Sequence, residues 1–440
     1  MMVSGQQDNR DGAIGSLRMR GFLKRAAAGE DLVVAFFGGS ITQGSLASTE
    51  ETCYAYRFYE MLAERYPKAH LTYVNAGIGG TGSHYGAMRV EEDLLAHRPD
   101  LVVLDFSVND TEAVLPLYSS GETGAKGNAD WGKRRRDPQN GDDLDTAGRH
   151  AAEESSEGEA EGASMKLYPE TWEGVVRRIL ASDSRPAILV LNNAFYDTGI
   201  SVEEEHNTIA SHYGIPHMSV RDRILPRIAD GTYVREDLSP DGLHPNDTGH
   251  RLIAEELMKV LFAYAPQPGE EKEDVGGVSD SSETSLPAPF TLNGYEHTVR
   301  LDCRNSGAQL FGFTPDTESH DGPEDRYHFF RNGWTASHVG DRFSLDFEGS
   351  GIAVVYRKTI HRPTPVARLI LDGDEEHAVL LDGNFDQDWG DCLFLQPILH
   401  HGRPGRHHID VEIIRATAGD QVPFYLLSIG VSGQIGAHPF

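Results

Sequence analysis

Cysteine is scarce in this chain: Cys53, Cys303 and Cys392 are scattered over 440 residues. An odd, widely spaced set builds no disulfide framework, so a reducing compartment is acceptable. The length provides for two or three domains with sizeable apolar cores. Long apolar runs are missing too. None reaches membrane-spanning length, and the first 30 residues are polar and charged, without an apolar core of signal-peptide length. Cytoplasmic residence with no membrane partner is therefore expected. Cations are outnumbered, 39 Lys and Arg against 68 Asp and Glu, for a formal charge of -29. A field of that sign opposes phosphate backbones, so nucleic acid is not expected as a partner. Metal-ligand spacing is absent as well. His400-His401 and His407-His408 accompany no cysteine pair, and a loop starting at Asp382 has no glycine at its sixth position. No metal or other cofactor is expected.

What is present begins with Leu32 to Phe37, an apolar, β-branched and aromatic run of the kind buried on both faces of a parallel sheet. It ends at Gly38-Gly39-Ser40. The glycines turn the backbone sharply and leave room beside Ser40, whose amide can face a developing oxyanion. A second run, Leu71 to Ala76, leads into Gly77-Ile78-Gly79-Gly80-Thr81-Gly82, a loop able to offer a second backbone N–H. A third, Leu101 to Phe106, ends in Ser107-Val108-Asn109-Asp110, which places an amide donor at a strand end. Far downstream stands Asp241-Gly242-Leu243-His244. Three residues apart, Asp241 can accept from one ring N–H of His244 and leave the other nitrogen to take the proton of Ser40.

These four segments, in this order, resemble the SGNH (GDSL-type) hydrolase superfamily. Ser40 matches the nucleophile position, Gly80 the second-block glycine, Asn109 the Asn-Asp block, and Asp241 with His244 the Asp-x-x-His block. Gly38-Gly39-Ser40 stands where the family has Gly-Asp-Ser, as in a subgroup with Gly-Gly-Ser-Ile-Thr. The resemblance covers roughly residues 32 to 264. It implies an acyl-serine mechanism with Ser40, Asp241 and His244 catalytic and an oxyanion hole from Ser40, Gly80 and Asn109.

Apolar segments at 32 to 37, 71 to 76, 101 to 106, 187 to 192 and 216 to 219 alternate with helical stripes such as Tyr54, Phe58, Met61 and Leu62. This predicts an α/β domain over residues 1–265 with a flavodoxin-like, doubly wound parallel sheet, whose loops after the first and third strands converge where strand order reverses. A last helix is expected to start near Asn246 to Thr248. Residues 118–165, Gly-rich and then charged, read as a mobile insertion, and 266–288 as a linker. Residues 289–440 alternate apolar and polar, as in Phe343, Leu345 and Phe347, which predicts an all-β, jelly-roll-like sandwich.

The pairing of that hydrolase fold with a β-sandwich resembles two-domain carbohydrate O-acetylesterases. This implies an acylated oligosaccharide or other small ester as substrate, and the acidic surface suits a neutral glycan. Lipase, lysophospholipase or thioesterase activity would use the same groups, and a noncatalytic glycan-binding protein is a third reading. Trp389, in a polar loop, is a candidate for stacking on sugar. A homo-oligomer is left open.

Overall fold

The computed structural model describes residues 13–111, 167–265, 285–317, 329–386 and 390–433. The expected insertion at 118–165, most of the expected linker, and Trp389 lie outside the described residues.

Five parallel strands form the first sheet: β1 (Asp31–Gly38), β2 (His70–Gly77), β3 (Leu101–Asp105), β4 (Ala187–Asn192) and β5 (His217–Ser219). Their order is β2-β1-β3-β4-β5, so strand order reverses between β1 and β3. Strands β3 and β4 are buried at every position because helices cover both faces. On one side Val34, Phe36, Leu101, Val103 and Leu189 pack on α1 (Ile14–Ala28), α3 (Tyr54–Arg65) and α7 (Asp247–Phe262). The alternate residues Ala35, Phe37, Val102, Leu104 and Val190 pack on α4 (Ser83–Asp93), α5 (Tyr168–Ala181) and α6 (Glu203–His212). A four-residue helix, α2 (Ser40–Gln43), follows β1 directly. Helix α7 starts where sequence reading placed it: Asn246 is its N-cap, accepting from the amides of Thr248 and Gly249 at 3.0 and 3.2 Å. Among the described residues no helix is long and apolar enough to cross a membrane.

The C-terminal strands, from β6 (Val299–Leu301) to β16 (Phe424–Ser432), form two antiparallel sheets. One runs β13 (Val379–Asp382), β12 (Val366–Leu371), β15 (Gly405–Arg415), β10 (Arg342–Gly349) and β7 (Gln309–Phe311). The other runs β14 (Cys392–Leu399), β11 (Gly351–Lys358), β16, β9 (Trp334–Ala336) and β8 (Thr314–Pro315), with β6 pairing to β16. Phe343, Leu345 and Phe347 face Val354, Tyr356, Leu426 and Ile429 in the core between them. The second sheet has no solvated face at its centre. The outward Val355, Leu393, Tyr425 and Leu427 pack on Ile78, Tyr85 and Met88 from the α/β region, which is why β11 and β16 are apolar at nearly every position rather than alternating.

Candidate active site

Ser40 sits at the first position of α2, where the amide N–H of a helix start has no intrahelical acceptor. Its Oγ lies 2.9 Å from Nε2 of His244. The other ring nitrogen, Nδ1, lies 2.7 Å from Oδ2 of Asp241. Oδ1 of Asp241 accepts from the amides of Leu243 and His244 at 2.9 and 2.8 Å. Partial burial alone would raise the pKa of this carboxyl, but the His244 ring and these amides outweigh it and leave it at about 2. A carboxylate held ionised against Nδ1 keeps the proton there and turns the Nε2 lone pair toward Ser40.

Two further turns close on the serine. Gly80 takes the left-handed conformation, with φ of 70°, at the bend after β2. Asn109, in the turn after β3, packs over the nucleophile turn so closely that a Cβ at residue 39 would lie 2.1 Å from its Oδ1. The next residue, Asp110, accepts from the amide of Ser83 at 2.8 Å and so ties this turn to the start of α4.

Several side chains that sequence reading passed over hold these turns in place. Asn75 donates to the Thr42 carbonyl at 2.9 Å, and Gln43 accepts from the Gly79 amide at 2.7 Å, which binds the second block to α2. Arg89, with no solvent exposure, donates to the carbonyls of Gly38 at 3.0 Å and Ala76 at 2.7 Å. Beneath α2, the Thr42 hydroxyl donates to Asp105 at 3.2 Å and shares a 2.8 Å hydrogen bond with Tyr54. Asn193 donates to the same carboxyl at 2.8 Å. Burial pushes Asp105 up to about 7, against the opposing pull of Asn193, Thr42 and the Ser107 amide. Behind the turn, His250 accepts from the Tyr54 amide at 3.2 Å and lies 3.2 Å from the Ser45 carbonyl, and burial lowers its pKa to about 4.

Sequence signals for some of these existed. Asp105 ends an otherwise apolar strand, and Arg89 sits between the apolar Met88 and Val90 in the middle of its helix. Ser40, Gly80, Asn109, Asp241 and His244 are brought to one edge of the sheet, and the sugar-stacking candidate Trp389 lies outside the described residues. Beside α2 a cleft of about 270 Å³ is lined by Gln43, Asn75, Ile78 and His97 and, from the C-terminal region, by Phe329 and Arg331.

A serine, a histidine and an aspartate linked in series at the carboxyl edge of a doubly wound sheet define the class as a serine hydrolase. The chain belongs to the GDSL-like lipase/acylhydrolase family, whose model matches residues 36–252. It is similar over 96% of its length, and over 96% of theirs, to two solved structures of a two-domain esterase (CEX) active on acetylated mannans. The one co-crystallised with mannopentaose is 37% identical with a TM-score of 0.76. The other is 38% identical, also with a TM-score of 0.76. None of the curated proteins searched matches the chain.

Proposed function

We infer that the chain is a carbohydrate O-acetylesterase acting through an acyl-serine, and that mannan-type glycans are its substrates. The observation that carries this is the unbroken series Asp241, His244, Ser40, at 2.7 and 2.9 Å. His244 removes the Ser40 proton as Oγ attacks the acetyl carbonyl, while Asp241 holds the ring in register and stabilises the imidazolium. The amides of Ser40 and Gly80 and the Asn109 carboxamide donate to the oxyanion, each such donor contributing roughly 3 to 4 kcal/mol. The imidazolium then protonates the sugar's ester oxygen as its bond to the acetyl carbon breaks, so that it leaves as a hydroxyl, the acetyl remains on Ser40, and His244 activates the water that releases acetate.

For the substrate, the support is the likeness over both regions to an esterase active on acetylated mannans, together with the net charge of -29, which suits a neutral polymer. The test is acetate release from acetylated mannan, acetylated xylan and long-chain acyl esters by the wild type and by Ser40→Ala. Fast release from mannan, abolished in Ser40→Ala, is expected. Preference for long acyl chains would overturn the substrate, and activity retained in Ser40→Ala would overturn the mechanism.

A further inference from the structure

Helix α4 ends in Glu91-Glu92-Asp93, three acids where the helix dipole disfavours negative charge, and no base stands in its last turn. The compensating cations come from elsewhere in the fold. Arg178 of α5 pairs with Glu91 at 3.0 Å. The other two acids are met from the C-terminal region: Arg300 of β6 pairs with Glu92, and lies 3.5 Å from Oδ1 of Asp93, and Arg304 reaches Glu92 at 3.0 Å. The other oxygen of Asp93 lies 3.3 Å from Nη1 of Arg89. Asp93 therefore stands between two guanidiniums, one in the sandwich and one under the active site.

Arg89 is wholly buried, and a buried guanidinium is tolerated only where its charge and donors are met. Nη1 and Nη2 donate to the Ala76 and Gly38 carbonyls, Cζ lies 4.2 Å from the centre of the Phe37 ring, and Asp93 supplies the counter-charge, while the buried Nε has no hydrogen-bond partner among the described residues. Gly38 and Ala76 are at the ends of β1 and β2, immediately before the turns that carry Ser40 and Gly80. Their spacing sets where the two oxyanion amides point. The neighbouring contact is equally close: Arg300 pairs in register with Gly430 of β16, and a Cβ at Gly430 would lie 2.6 Å from the sulfur of Met88.

We propose that Arg300, in the β-sandwich, is a positioning residue for ester hydrolysis: through Asp93 it fixes Arg89, and Arg89 fixes the two strand ends that carry the nucleophile and the oxyanion amides. This rests on the assignment of Ser40 and Gly80 above. It gives the sandwich a part in the chemical step that does not depend on holding glycan.

The test uses 4-nitrophenyl acetate, a substrate too small to need a glycan subsite, with the full chain and at a temperature well below each variant's unfolding midpoint. Arg300→Gln should lower kcat roughly 3- to 30-fold, the range for residues acting through a chain of contacts, with KM within about twofold, and Arg300→Lys should recover most of the loss. Asp93→Asn, isosteric and uncharged, should do the same. The double variant should be no worse than the poorer single one, since both break one chain. Should Arg300→Gln fail to fold, Arg300→Met, which keeps the aliphatic stem without the charge, takes its place, because Asp93→Asn also removes the direct partner of Arg89 and does not by itself report on Arg300. An unchanged kcat, a change confined to KM, or additive losses overturns the proposal. Ser40→Ala, run alongside, separates the two readings: activity retained there fails the site assignment, whereas an inactive Ser40→Ala with an unaffected Arg300→Gln fails only the positioning role.

Discussion

The carboxamide oxygen of Asn109 occupies the space beside Gly39, 2.1 Å from where a Cβ would stand. This gives the Gly-Gly-Ser departure from Gly-Asp-Ser a physical content. With no side chain at 39, Asn109 closes directly on the nucleophile turn.

Gly39→Ala should therefore push the Asn109 carboxamide away from Ser40. Losing one oxyanion donor costs kcat roughly 10² to 10³-fold, and the expectation for Gly39→Ala is a loss of that order with the fold retained. Steady-state kinetics of Gly39→Ala, Asn109→Ala and the double variant check it. Because both changes remove the same donor, the double variant should match the worse single one; independent, multiplying losses would show that residue 39 acts by another route.

Asp241→Asn should keep the fold and lower kcat by about 10² to 10⁴-fold, with KM little changed, since an amide neither holds the Nδ1 proton nor stabilises an imidazolium. The wild-type carboxyl, with a pKa of about 2 against 3.8 in an unfolded chain, is ionised wherever the enzyme works. Its stabilising contribution is present above about pH 4 and lost as pH falls through about 2. Urea titrations of both proteins at pH 7, 5 and 3 should thus show a difference that begins to shrink only at the last; one that closes by pH 5 would contradict the assignment.

The first three blocks, with Ser40, Gly80 and Asn109, were legible in the sequence because each follows an apolar run that reads as a buried strand, and a doubly wound sheet gathers the carboxyl ends of such strands; Asp241 and His244 follow no such run and were legible from their three-residue spacing and the family resemblance. Asn246 was legible as a helix start for the same local reason: a side chain that caps its own next turn needs no tertiary partner. Arg89 and Asp105 were not. Their types are those of solvated surface, and what buries them is the meeting of segments distant in sequence, Gly38 with Ala76 for one and Thr42 with Asn193 for the other. The sandwich's outer face was hidden for a related reason. Runs such as Ile352 to Tyr356 announce burial on both faces, but only the fold shows that the second face meets Ile78, Tyr85 and Met88.

Asp105 predicts an opposite pH dependence. Its pKa rises on folding from the ordinary 3.8 to about 7, so the native state binds the extra proton between those values. Its contribution to stability is full below about pH 4 and is lost as pH rises through about 7. Asp105→Asn removes that slope. The variant's deficit against wild type, measured by urea unfolding, should be largest at about pH 4, should shrink steadily between pH 4 and 7, and should be smallest or reversed by pH 9; a deficit constant across that range would mean the carboxyl does not titrate there.

Gly430 and Met88 offer a test of how tightly the sandwich seats on α4. Met88 is 3% exposed, and three of its side-chain atoms lie within 2.9 Å of a Cβ built on Gly430. Met is the most adaptable of apolar side chains, but a buried one with no free volume has nowhere to turn. Gly430→Ala should therefore destabilise by about 1 to 3 kcal/mol, the usual cost of overpacking. In a Met88→Ala background the same change fills part of the space left by the thioether, so its cost should fall toward zero or change sign. That sign is the discriminating quantity. If Gly430→Ala cost as much with Met88 truncated as with it present, the penalty would lie in the β16 backbone, and the close seating of the sandwich on the helix that carries Arg89 would not be its cause.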